Sequence, residues 1–186
     1  MMEVKGSAII VLPEFVKSKC GKKNFDIWLS SLSEEANKVY TSKILISSWF
    51  PLRTIFIEPT KKMCDLFYKK NPKGAWEVGR FSADYALAGF YKAYIRIATP
   101  QALTRRASKI FSTYYKPSSM KTEKINDKKV LLKITDFSEM DIIVENRILG
   151  WIERTLEICG CRKININVIK SLACGDSKSE IEISWD

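Results

Sequence analysis

Five thiols carry most of the nucleophilic and metal-ligating capacity of this chain: Cys20, Cys64, Cys159, Cys161 and Cys174. They form an odd set without the paired spacing of a secreted disulfide scaffold, so reduced, buried structural thiols are expected. Cys159, Cys161 and the more distant Cys174 offer at most three thiolates, whereas structural zinc takes four ligands, and no metal site is expected. The sequence contains no histidine. That removes the commonest general base and every Ser-His or Cys-His nucleophile pair. Glu77 and Asp84 remain as carboxylates for acid-base work, but Arg80 and Asp84 have the i,i+4 spacing of a helix-surface ion pair. No Walker loop, dinucleotide glycine fingerprint, zinc-protease motif or nucleophile elbow occurs, so no catalytic residue is assigned and the chain reads as a non-enzyme.

The totals bound what must hold these residues. A length of 186 residues with 46% apolar side chains suits one domain with a continuous core. The run from Ser7 to Val16 is too short to span a bilayer, is interrupted by Pro13 and Glu14, and lacks a small-residue cleavage site, so a cytoplasmic protein without a membrane span is expected. A net charge of +10 attracts phosphates and anionic headgroups in principle. The lysines are dispersed in small groups, among them Lys22-Lys23, Lys61-Lys62, Lys69-Lys70 and Lys128-Lys129, which describes a soluble surface better than a nucleic-acid-binding stripe.

Residues 1–116 read as mainly helical. Gly6 to Cys20 forms a helical segment closed by Gly21; Asn24 caps a second helix and Ser33 a third. Trp49-Phe50-Pro51 breaks the pattern, and Pro59 opens a helix to Lys70. Thr99-Pro100 opens another, to about Tyr115. Residues 117–186 read as hairpin, helix, hairpin. Met120–Ile125 and Val130–Ile134 flank a turn at Asn126-Asp127. Ser138 and Asp141 resemble a capping box for a helix carrying Ile142, Leu149, Ile152, Leu156 and Cys159, which Gly160 ends. Ile164, Ile166 and Val168, then Ile181, Ile183 and Trp185, alternate with polar residues on two strands around Gly175-Asp176. The fold class expected is α+β, an N-terminal helical layer packed on a four-stranded antiparallel sheet.

The most informative helix runs from Ala75 to Ile97. Small residues recur at Ala75, Gly79, Ser82, Ala86, Gly89 and Ala93, alternating gaps of four and three. Each glycine inside a helix costs about 0.8–1 kcal/mol relative to alanine, so a second backbone must approach along this seam. That neighbour is either another helix of the same chain or a dimer partner, or the seam walls an apolar channel. The remaining faces carry Trp76, Phe81, Tyr85, Leu87, Phe90, Tyr91 and Tyr94, which predicts a central, buried helix.

Trp49-Phe50-Pro51, the stretch Gly74-Ala75-Trp76-Glu77-Val78-Gly79-Arg80-Phe81-Ser82-Ala83, Gly150-Trp151, and Ala173-Cys174-Gly175-Asp176 through Trp185 together carry a resemblance over nearly the whole chain. It resembles bacterial relatives of the superfamily that joins haem nitric-oxide/oxygen-binding (H-NOX) domains, vinyl-reductase-type domains and the core subunits of the TRAPP tethering complex. The resemblance implies a helical bundle on a four-stranded antiparallel sheet, an interior that takes haem or a fatty-acyl chain, and dimerisation through helices. Two departures narrow it. The haem branch uses a histidine and a Tyr-x-Ser-x-Arg motif, and neither is present, so histidine-ligated haem is excluded as a cofactor. Vinyl-reductase-type domains carry cysteines near the last hairpin, and here Cys174 is followed five positions on by Ser179. What the resemblance then implies is a non-enzymatic sensor or adaptor domain binding an apolar small molecule, lipid or acyl chain, with Trp49, Phe81, Tyr85 and Tyr114 as lining, a homodimer, and a signalling or regulatory partner. The rival readings are a protein-interaction scaffold with a filled core and a basic nucleic-acid-binding regulator.

Overall fold

The computed structural model describes residues 1–88 and 99–186. Its first strand, β1 (Glu3–Lys5), is flanked by β2 (Trp49–Pro51) and β3 (Tyr115–Lys116) in an antiparallel sheet of three strands. Trp49-Phe50-Pro51 is therefore a short edge strand rather than a mere break. Three residues are too few to display a period of two, and Pro51 is tolerated because β2 lies at an edge.

From β1 the chain enters α1 (Gly6–Ile9) and α2 (Val11–Phe15), followed by a π-helical turn over Val16–Cys20 that Gly21 ends with φ of 90°. Helix α3 (Lys22–Ser30) begins before Asn24, whose side chain donates to the Cys20 carbonyl at 2.9 Å instead of capping. Ser33 does cap α4 (Glu34–Thr41), its Oγ accepting the Ala36 N–H at 3.3 Å. A second π-helical turn, Arg53–Ile57, leads into α5 (Glu58–Phe67). Trp28 of α3 is fully buried, and its indole N–H donates to the Pro59 carbonyl at 2.9 Å, tying α3 to α5.

Helix α6 (Lys73–Ala88) is the small-residue helix, and α7 (Pro100–Tyr114) is capped by Thr99. Gly89 and Ala93 of the seam lie outside the described residues. Along α6, Ala75, Val78, Gly79 and Ala83 are buried while Asp84 and Tyr85 are exposed, so the helix has one wet side. The expectation of burial all round thus fails at Asp84 and Tyr85, while Phe90, Tyr91 and Tyr94, on which it also rested, lie outside the described residues.

The C-terminal half is β4 (Ser119–Asn126), β5 (Lys129–Thr135), α8 (Ile142–Ile158), β6 (Asn165–Lys170) and β7 (Ser179–Ser184). The two hairpins join edge to edge in the order β4-β5-β7-β6, every pair antiparallel. Their inner face buries Met120, Val130, Leu132, Ile134, Ile181 and Ile183. Asp141, not Ser138, caps α8: its Oδ1 accepts the Ile143 N–H at 2.8 Å. The architecture is α+β, with helices on one face of a four-stranded antiparallel sheet. Buried side chains from Met2 to Trp185 form one continuous cluster through both halves. All five cysteines are free; Cys64 and Cys161 are buried, whereas Cys174 is exposed, contrary to the expectation of uniformly buried thiols.

Candidate functional site: an apolar cavity with a buried arginine

Helices α6 and α8 cross at contact distance because each offers a glycine there. A Cβ on Gly79 would collide with the Arg147 carbonyl oxygen, and one on Gly150 with the Trp76 carbonyl oxygen. The seam's reason at Gly79 is thus a backbone of the same chain. Outside this crossing, Arg80 bonds Glu153 at 2.6 Å and Glu157 at 2.8 and 2.9 Å. Arg154 bonds Asp84 at 2.8 Å and Glu157 at 2.8 Å. The i,i+4 pair expected between Arg80 and Asp84 is replaced by these cross-helix bridges, because α8 presents its carboxylates within reach of Arg80.

Between α6 and α8, α7 and the sheet lies a cavity of about 910 Å³. This lies near the upper end of the usual range for small-molecule pockets, roughly 300–1,000 Å³. Its walls include Leu103, Ala107, Ile110 and Phe111 of α7, Ile148, Trp151, Ile152 and Leu156 of α8, and Met120, Val130, Leu132 and Ile183 of the sheet. Gly79, Ser82, Tyr85 and Ala86 contribute from α6, and Lys5, Ser7, Ala8 and Val11 from the N-terminal segment. Several wall hydroxyls turn back on their own helices: Ser82 donates to the Val78 carbonyl, Thr155 to Trp151 and Thr104 to Gln101. Those groups leave a ligand little to bond. Among the described wall residues there is no aspartate, glutamate or cysteine.

Of the aromatics expected to line a pocket, Tyr85 and Tyr114 are in this wall. Phe81 stands behind Tyr85, stacked on it with ring centroids 6.4 Å apart and edge-on to Phe15 at 5.5 Å. Trp49 is on β2, its ring flanked by the ammonium groups of Lys116 at 4.3 Å and Lys5 at 5.2 Å. Neither is among the described wall residues. Ala75 is buried outside the wall, while Gly79, Ser82 and Ala86 are in it.

Arg147 was not singled out by type or motif, yet it is the most unusual wall residue. It is 4% exposed. One Nη donates to Thr60 Oγ1 at 3.1 Å, the other to the Ala8 carbonyl at 3.0 Å, and the guanidinium carbon lies 3.8 Å from the Phe56 ring centroid. Burial draws its pKa down from the ordinary arginine value, opposed by Tyr115, Tyr40 and Cys64. A signal did exist: Ile143, Val144, Arg147 and Ile148 share one face of α8, so a charge stands on an apolar stripe. The other buried charged side chain of α8, Glu145, faces elsewhere and accepts from Ser171 Oγ at 2.6 Å, fastening the last hairpin.

This arrangement of helices and sheet is shared with solved structures. The fold is that of H-NOX proteins. An H-NOX protein from S. oneidensis in the Fe(II)NO ligation state superposes with a TM-score of 0.76 at 11% identity, over 98% of this chain and 99% of that one. The unliganded Fe(II) H-NOX protein from K. algicida gives 0.70 at 10% identity, over 98% and 96%. A structure addressing haem distortion in the H-NOX family gives 0.72 at 15% identity, over 98% and 95%. No family model matches the sequence, and no curated protein matches it. The likeness is therefore one of fold, at 10–15% sequence identity in these three structures. No helix among the described residues is long and apolar enough to cross a membrane.

Proposed function

We propose that this chain is a non-enzymatic sensor or adaptor domain that holds an apolar small molecule or acyl chain in the cavity between its helices and its sheet. The observation that carries the reading is the cavity itself: about 910 Å³ walled by aliphatic and aromatic side chains from four parts of the fold. Leaving such a volume empty forfeits the dispersion contacts that a packed core would make, and an apolar ligand restores them. Histidine-ligated haem does not fit, because the chain has no imidazole to bind iron. The absence of histidine and of acidic wall residues also favours binding over chemistry. The reading includes self-association, supported by the resemblance rather than by the seam, whose Gly79 is occupied by α8 of the same chain.

Native mass spectrometry of the purified protein, followed by solvent extraction and add-back of candidate lipids, tests this directly. A dimer carrying an apolar adduct that extraction removes and add-back restores is the expected result. A protein that neither retains nor takes up any apolar compound would overturn the ligand-binding reading and favour a scaffold. A monomeric species would overturn self-association alone.

A further inference from the structure

Resting on the reading of an apolar-ligand site, the geometry points to the class of ligand: we propose that the cavity takes a long-chain monocarboxylate, with Arg147 as the counter-ion of its head. Four observations converge on this. First, Arg147 is buried and belongs to the wall of a mostly apolar cavity, whose other cation among the described residues, Lys5, is only half-buried and has its ammonium over the Trp49 ring at 5.2 Å. Second, its bonding partners are neutral, the Thr60 hydroxyl and the Ala8 carbonyl, and they engage two of the five N–H groups a guanidinium carries. Third, no carboxylate among the described residues lies within ion-pair distance of it, and the remaining residues, 89–98, contain neither aspartate nor glutamate. Fourth, the titratable groups around it stay protonated near neutral pH: burial pushes the Tyr115 phenol up to about 12 and the Cys64 thiol up to about 11, and raises Tyr40 as well.

An arginine cannot escape such a site by losing its proton, as a buried lysine does. It thus remains a fixed positive charge in a low-dielectric wall with no anion from its own chain. Its planar fork matches a carboxylate bidentately. The Ala8 and Thr60 bonds place the guanidinium where the N-terminal segment and α5 meet α8, while Leu132 and Ile183 line the cavity from the sheet. A charged head at the first and an aliphatic tail running toward the second satisfy both surfaces at once.

The test is competition for a fluorescent fatty-acid probe bound to the delipidated full chain, using hexadecanoate, hexadecanol, methyl hexadecanoate and a lysophosphatidic acid of equal tail length. Hexadecanoate is expected to compete about tenfold to a hundredfold better than hexadecanol, the ratio lost with one charge-assisted hydrogen-bonded head. Arg147→Gln should weaken hexadecanoate by a similar factor and leave hexadecanol unchanged. Should that variant fail to fold, the acid-to-alcohol ratio on the wild type decides alone. Equal competition by acid and alcohol would overturn the counter-ion role while leaving an apolar site standing. Preference for the phosphate over the carboxylate would overturn the carboxylate assignment. No probe binding and no competition by any of the four would overturn the underlying ligand-binding reading instead.

Discussion

Gly79 and Gly150 lack side chains for one reason, seen from opposite sides of the α6–α8 crossing: each Cβ would occupy the space of a carbonyl on the facing helix. Backbone cannot yield as a flexible side chain does. Gly79→Ala is therefore expected to destabilise the chain by about 1–3 kcal/mol, despite alanine's better helix propensity. Urea unfolding should show a lower midpoint with an unchanged slope; a stabilised variant would mean that the helices separate freely. A second residue-level case is Trp28, whose buried indole satisfies the Pro59 carbonyl. Trp28→Phe removes that bond and leaves the Pro59 carbonyl only its partner within α5, and it should cost about 0.5–1.5 kcal/mol beyond the lost volume, read in the same unfolding assay.

At the scale of elements, α6 and α8 are joined by packing along the glycine crossing and by charge along one edge. Arg80, Glu153, Glu157, Arg154 and Asp84 form a strap of partly exposed bridges. Arg80, then Arg154, hold the Glu157 carboxyl below its ordinary value. A carboxylate with a depressed folded-state pKa contributes fully above its unfolded value, and the contribution is lost as pH falls through the folded one. The strap should thus be complete at neutral pH and fail below the ordinary carboxylate range. In thermal melts, wild type should lose its advantage over Arg80→Met on acidification. Raising salt at neutral pH should narrow the same gap, since these bridges are within reach of screening ions. A gap independent of both would assign the strap no electrostatic role.

For the whole molecule, the cavity sets what can be measured without knowing the ligand. A ligand that binds only the folded state stabilises it by mass action, about 2.7 kcal/mol at a hundredfold excess over Kd. A bound apolar compound should therefore raise the melting temperature in proportion to the logarithm of its concentration. Ala107→Trp, placed in the α7 wall, should fill space rather than create strain. The expected outcome is a folded protein by circular dichroism that no longer takes up the fluorescent fatty-acid probe. Undiminished probe binding would place the ligand elsewhere.

The sequence alone determined the order and type of the longer elements, because long periodic stretches state which face is buried. The alternation in Ile181, Ile183 and Trp185, and the capping by Ser33, needed no tertiary information. It also showed that no histidine could ligate iron. Tertiary structure decided what spacing cannot. The β2-β1-β3 sheet joins segments far apart in the chain and too short to show a period. Trp49 and Phe81 looked like cavity wall because aromatic type reports burial but not which side of a helix or strand faces an empty volume. Gly79's neighbour was foreseeable as a backbone, yet only packing identified it as α8. Arg147 carried a faint signal, a charge on an apolar stripe. Its meaning depended on the whole fold, because whether a buried cation has an anion within reach is a question about every other residue in space.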